Sequence, residues 1–134
     1  MLNTIYRLTA PRTIEPVVVS KDTTDKVIVR PTYLSICNAD QRYYQGTRSK
    51  EVLAKKLPMA LIHEGIGRVV SDNAGAFQPG DIVVMLPNAP IEQDAFIAEN
   101  YLRSSRFCGS GFDGFMQESM ILPPERVVLL PQDV

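Results

Sequence analysis

The sequence predicts a mainly β fold, a closed or nearly closed barrel with a few short helices and one long loop excursion. Short β-rich runs recur between turn signals, and prolines and glycines fall mainly at the ends of those runs and rarely interrupt them. The runs are Ile5 to Leu8, Val17 to Ser20, Lys26 to Val29, Ile66 to Ser71, Asp81 to Met85, Phe115 to Ile121 and Arg126 to Leu130. Gln78-Pro79-Gly80-Asp81 shows the punctuation: proline presets φ and glycine accepts the reversal before the next strand.

A first helix is predicted from Asn38, whose side chain suits an N-cap, through Tyr44 to a stop at Gly46. A second runs from Lys50 to Lys56. From Pro87 to Asp113 no period-two alternation is visible, although Ile91 to Leu102 has the length of a short helix. This stretch is expected to leave the barrel. Neither an internal repeat nor a low-complexity segment is present.

A chain of 134 residues fits a single domain. With 45% hydrophobic and 22% charged residues it has the composition of a compact soluble protein, which argues against disorder and membrane burial. The fourteen basic and fifteen acidic residues leave a net charge of −1, and the basic ones are scattered, so no nucleic-acid partner is expected. The first residues lack a basic segment followed by an apolar run, and no stretch nears the ~18 apolar residues that span a bilayer. A cytoplasmic location and no membrane association are therefore expected. Cys37 and Cys108 are the two cysteines, too few for a disulfide framework, and reduced thiols are expected.

His63 is the single histidine, followed by Glu64 and by Gly65-Ile66-Gly67, where small residues let other groups come close to the backbone. A lone histidine is usually structural, so its neighbours decide the reading. Cys37 opens Cys37-Asn38-Ala39-Asp40, and thiolate, imidazole and carboxylate together form the donor set that catalytic zinc accepts while keeping one position open. Alternatively, Cys37 is a small buried residue closing Tyr33-Leu34-Ser35-Ile36. Asp40 either caps the local turn or accepts a hydrogen bond from the second nitrogen of a metal-bound imidazole.

Ser35-Ile36-Cys37-Asn38-Ala39-Asp40 and Leu61-Ile62-His63-Glu64-Gly65-Ile66-Gly67 resemble the zinc-ligand cysteine and histidine-glutamate-glycine elements of the zinc-dependent medium-chain alcohol dehydrogenases. Phe77-Gln78-Pro79-Gly80-Asp81-Ile82-Val83 resembles that family's glycine-aspartate turn. Asp113-Gly114-Phe115-Met116-Gln117-Glu118 and Leu130-Pro131 resemble its closing elements. The resemblance covers essentially the whole chain. It implies a GroES-like, partly open β-barrel over residues 1–134, acting as the zinc-binding catalytic domain. A C-terminal Rossmann domain is expected beyond this chain and would carry NADP(H) or NAD(H) and the remaining zinc ligand, leaving the chain inactive by itself.

Carried over by residue, the resemblance makes Cys37 and His63 zinc ligands, Glu64 a ligand or nearby carboxylate, and Asp40 the partner that orients His63. These four form the implied catalytic set around one catalytic Zn²⁺. Residues 87–111 hold only Cys108 where many relatives place four cysteines, so no structural zinc is expected. Ala39 stands where many members carry a proton-relaying hydroxyl.

Ala39-Asp40-Gln41-Arg42-Tyr43-Tyr44-Gln45-Gly46, Leu57-Pro58-Met59 and Gly114-Phe115-Met116-Gln117 are similar to the pentitol-phosphate branch of that family. Its members, the ribitol-5-phosphate dehydrogenases or ribulose-5-phosphate reductases, feed teichoic acid or capsule synthesis. This resemblance implies NADPH-dependent reduction of ribulose 5-phosphate to ribitol 5-phosphate. Tyr43 and Tyr44 would then meet substrate hydroxyls, Arg42 and Arg48 the phosphate, and Phe107 and Ser110 the cleft wall. The implied partners are a sugar phosphate or polyol, further copies of the full-length chain in a homo-oligomer, and a cytidylyltransferase of the same pathway. The alternatives are a zinc-dependent dehydrogenase of another polyol or alcohol, and a non-catalytic GroES-like binding or assembly module.

Overall fold

The computed structural model of the protein describes residues 1–89, 106–107 and 112–131, with backbone alone at 88–89 and 106–107. Strand β1 (Leu2–Ala10) and strand β2 (Thr13–Ser20) form an antiparallel hairpin in register from Leu2↔Ser20 to Leu8↔Ile14. Asn3, Ile5 and Leu8 are buried along β1, Leu8 out of phase with the first two where it bridges to Met59, whereas β2 pairs with β1 alone and stays largely exposed.

The main sheet contains β3 (Val27–Ser35), β4 (Glu64–Asp72), β5 (Ile82–Met85), β8 (Met120–Leu122) and β9 (Val127–Leu129), in the order β8-β3-β4-β5-β9. All its pairings are antiparallel. Two short strands, β6 (Asn88–Ala89) and β7 (Arg106–Phe107), pair with each other. The bridges Ile5↔Gln117 and Leu8↔Met59 tie the hairpin to the rest and curl the assembly into a half-barrel. Leu8 and Met59 exchange both backbone bonds, at 2.8 and 3.1 Å, and the Tyr6 amide donates to the Met116 carbonyl at 2.9 Å.

The concave side holds the core. Val27, Val29, Val69, Val83, Met85 and Val127 project from the sheet onto Leu8, Met59, Leu61 and Phe115, all buried. A side chain of this size contributes roughly 1.5–3 kcal/mol when fully buried. One edge of the core is closed by a charged fork: Arg7 Nη2 donates to Asp113 Oδ2 at 2.7 Å and Nε donates to both carboxylate oxygens at 3.1 Å. The hydrogen bond to Asp113, with its negative charge, raises the Arg7 pKa above the usual value against a smaller opposing effect of burial.

Most expected elements are present, with three corrections. Strand β3 continues through Pro31 to Ser35 because register shifts at Ile28/Val29 and Pro31/Tyr33 absorb the missing proline amide. The strand expected from Phe115 to Ile121 shortens to Met120–Leu122, since residues 114–118 spend their amides on Ala60, Ile62, Leu61, Phe115 and Thr4. Helix α1 (Asn38–Gln45) has Cys37, not Asn38, as its N-cap residue. Its stop at Gly46, with φ of 73°, is as expected. Helix α2 (Lys50–Lys56) has the expected bounds, and Ser49 Oγ accepts the Val52 amide hydrogen at 3.3 Å.

The expected helix from Ile91 to Leu102 lies outside the described residues, as do Cys108 and Ser110; Phe107 is described only as backbone in β7. Among the described residues no helix is long and apolar enough to cross a membrane.

Candidate metal centre

The pairing of β3 with β4 sets Ser35 opposite Glu64. Cys37, two residues past the end of β3, and His63, one residue before β4, therefore emerge at the same end of the sheet. Cys37 Sγ lies 3.9 Å from His63 Nδ1 and 3.9 Å from Nε2. Asp40 enters from the first turn of α1, and the three potential ligand atoms of Cys37, Asp40 and His63 lie within 4.8 Å of one another. Zinc bonds of about 2.3 Å to sulfur and 2.0–2.1 Å to nitrogen at a tetrahedral angle put those donors about 3.6 Å apart. The donor set and its spacing thus fit a zinc ion after a small adjustment. Equal distances to both ring nitrogens leave their selection to the other groups around the imidazole.

Asp40 is 2% exposed, and its carboxylate is compensated by two backbone donors. The Cys37 amide donates to Oδ2 at 2.9 Å and the Ile62 amide to Oδ1 at 2.8 Å. A buried carboxylate without such donors would be strongly destabilising. Of its two expected readings, capping of the local turn is realised in the bond to Cys37. The same side chain also grips the strand of chain that delivers His63.

Glu64 Oε1 lies 3.8 Å from His63 Nε2, and its side chain is 55% exposed. It stands beside the three-residue cluster, on the solvent side. The close approach expected at Gly65 and Gly67 is present. A Cβ at Gly65 would fall 2.6 Å from Leu34 Cδ2, and one at Gly67 would fall 2.5 Å from the Arg30 carbonyl oxygen.

Two grooves flank the cluster. One, of about 660 Å³, runs past His63 and Glu64 between Tyr33, Leu34, Val84 and Leu86. The other, of about 480 Å³, is lined by Asp40, Tyr44, Ile36, Ile14, Ile62 and Met116, among others. Tyr44 is therefore at a groove wall, whereas Tyr43 is buried in the core. The Arg48 guanidinium stacks over the Tyr43 ring at 4.7 Å, and its buried Nε has no hydrogen-bond partner among the described residues. Arg42 is exposed on α1. The apolar groove residues Ile36, Ile62 and Met116 were not anticipated. They carry no reactive group, and only the tertiary fold brings them to the centre.

The sequence matches the model of the alcohol dehydrogenase GroES-like domain over residues 23–132. It is 58% identical to the ribulose-5-phosphate reductase of Bacillus spizizenii and 56% identical to ribulose-5-phosphate reductase 1 of Staphylococcus aureus, each over 100% of this chain and 40% of the relative. The chain thus spans about 40% of the length of these curated relatives. Among solved structures, S. aureus TarJ in complex with NADPH superposes with a TM-score of 0.78 at 45% identity, over 100% of this chain and 35% of that one. The half-barrel, the meeting of Cys37 with His63 and a family model spanning most of the sequence agree, and the chain belongs to the alcohol dehydrogenase GroES-like domain family.

Proposed function

We propose that this chain is the zinc-bearing part of an NADPH-dependent ribulose-5-phosphate reductase, forming ribitol 5-phosphate for teichoic acid or capsule precursors. The observation that carries the reading is the meeting of Cys37, Asp40 and His63 at one end of the sheet. Substrate and cofactor are supported by relatives above 50% identity that bear the ribulose-5-phosphate reductase name, and by a similar solved structure with NADPH.

In this reading Cys37 and His63 hold the single zinc, with Glu64 as a ligand or adjacent carboxylate. When bound, zinc supplies Lewis acidity at the substrate carbonyl oxygen and the nicotinamide supplies the hydride. Asp40 keeps both ligand segments in place and helps orient His63. Ala39 offers no hydroxyl, so water or another group must carry the proton to the product oxygen. Arg42 and Arg48 take the phosphate, because guanidinium matches its oxygens in a fork. Tyr44, at the groove wall, meets substrate hydroxyls, whereas Tyr43, expected beside it, is sealed in the core under the Arg48 guanidinium and cannot reach substrate; Phe107 and Ser110 border the cleft. The nucleotide site and the last zinc ligand belong to a further Rossmann domain. No structural zinc, a cytoplasmic homo-oligomer and a cytidylyltransferase partner complete the proposal.

The test uses the full-length protein. NADPH oxidation is followed with ribulose 5-phosphate, with unphosphorylated ribulose and with sorbitol, alongside metal analysis. The proposal requires turnover with the phosphate ester well above the other two, and its loss in Cys37→Ser and His63→Ala. Undiminished turnover in a metal-free double variant would reject it.

A further inference from the structure

We propose that Gly114 is a positioning residue for His63: its bare backbone lets residues 113–116 lock the Leu61–Ile62 peptides in the bend that carries the imidazole to Cys37. The inference rests on the metal reading above and assigns a role to a segment outside the ligand cluster.

The bend is unusual for its residue type. Ile62 has φ of 74°, in the left-handed region that β-branched residues rarely enter. Such a conformation persists only where the surroundings determine it, and here they can be named. The Ile62 amide donates to Asp40 Oδ1 at 2.8 Å, and its carbonyl accepts from the Phe115 amide at 2.8 Å. One residue pair earlier, the Ala60 amide donates to Asp113 Oδ1 at 2.9 Å and its carbonyl accepts from the Gly114 amide at 2.8 Å. Both sides of the 60–62 backbone are held, and Asp113 is itself anchored to β1 by the Arg7 fork.

Contact this close requires glycine at 114. A Cβ there would collide with the carbonyl oxygens of Leu61 and Ile62 and would lie 2.8 Å from the Leu61 carbonyl carbon. The obstacle is backbone, which cannot swing aside as a flexible side chain can. The Ile62 carbonyl belongs to the peptide that begins His63. Displacing it rotates the His63 backbone and moves the ring away from the sulfur.

The experiment titrates full-length, metal-depleted protein with cobalt(II) chloride and reads the visible d–d and thiolate charge-transfer bands. Gly114→Ala is compared with Val27→Ala, which opens the core at the opposite end of β3 from Cys37. Both are measured at a temperature where circular dichroism shows them folded. Gly114→Ala is expected to weaken cobalt binding tenfold or more and to alter the charge-transfer band, while Val27→Ala stays within twofold of the unsubstituted protein. A folded Gly114→Ala with unchanged affinity and spectrum overturns the inference. If Gly114→Ala does not fold, Asp113→Asn decides: it loosens the Arg7 anchor, and at least threefold weaker cobalt binding is expected, with no change overturning the inference. Failure of the unsubstituted protein to bind cobalt overturns the metal reading and this inference with it.

Discussion

Cys37 Sγ sits 3.9 Å from both ring nitrogens of His63, although the two residues are 26 positions apart in sequence. The proximity follows from strand register: β3 and β4 are antiparallel with Ser35 opposite Glu64, so the residues leaving one strand and entering the other meet at a single edge. Any substitution that slips this register separates the donors before it touches them.

Asp40 joins the segments that carry Cys37 and His63 by accepting the amides of Cys37 and Ile62. In Asp40→Asn one carboxylate oxygen becomes an NH₂ that faces an amide N–H, leaving a buried donor unsatisfied. The expected loss of stability is about 1–3 kcal/mol. Urea denaturation of the metal-depleted protein measures it, and an unchanged midpoint would contradict the clamp.

Arg7 and Asp113 form a fork with side chains 27% and 18% exposed. Partial burial and bidentate geometry place it above an ordinary surface pair, so a coupling of about 1–2 kcal/mol is expected. A double-mutant cycle of Arg7→Met and Asp113→Asn reads this coupling in denaturation experiments. Additive effects would show that the two side chains act independently.

Asp72 organises the turn after β4, accepting the amides of Ala74 at 2.7 Å and of Ala76 and Phe77 at 2.6 Å. Desolvation pushes its pKa up, but the amides of Phe77, Ala74, Ala76 and Gly75 together outweigh this and hold it below the ordinary 3.8. A depressed folded-state pKa means that the carboxylate's contribution is complete above the unfolded value and is lost as pH falls through the folded one. Stability curves of the unsubstituted protein and Asp72→Asn are therefore expected to converge below about pH 4, the ordinary aspartate range. A constant gap between them down to pH 2 would contradict this assignment.

Much of this architecture was legible from local chemistry. Ser49 and the helix-forming run after it mark α2 locally, and Val52 and Leu53 then pack it against the core. The turn at Gln78–Asp81 likewise announces itself through Pro79, Gly80 and the Asp81 carboxylate, which accepts the Gln78 amide at 2.9 Å. Cys37 and His63 were legible as metal donors because the chain holds two cysteines and one histidine, whereas the sequence offered Glu64 as the carboxylate and Asp40 as a cap or orienting partner, and only the fold brings Asp40 into the cluster.

Other features depend on partners distant in sequence. Pro31 argues against a strand, yet β4 pairs on both sides of it by accommodating register shifts. Phe115 to Ile121 has the composition of a strand, but its amides are taken by the 60–62 backbone and by β1. The left-handed Ile62 had no local signal, because Asp40 and Phe115 impose its conformation from outside.

The central claim is that Cys37 and His63 bind one metal ion together. Zinc K-edge X-ray absorption on the full-length protein tests it directly. The account predicts a sulfur scatterer at about 2.3 Å and nitrogen or oxygen at about 2.0–2.1 Å, with the sulfur contribution reduced in Cys37→Ser. A zinc site without sulfur in the unsubstituted protein, or one unchanged in Cys37→Ser, would contradict it.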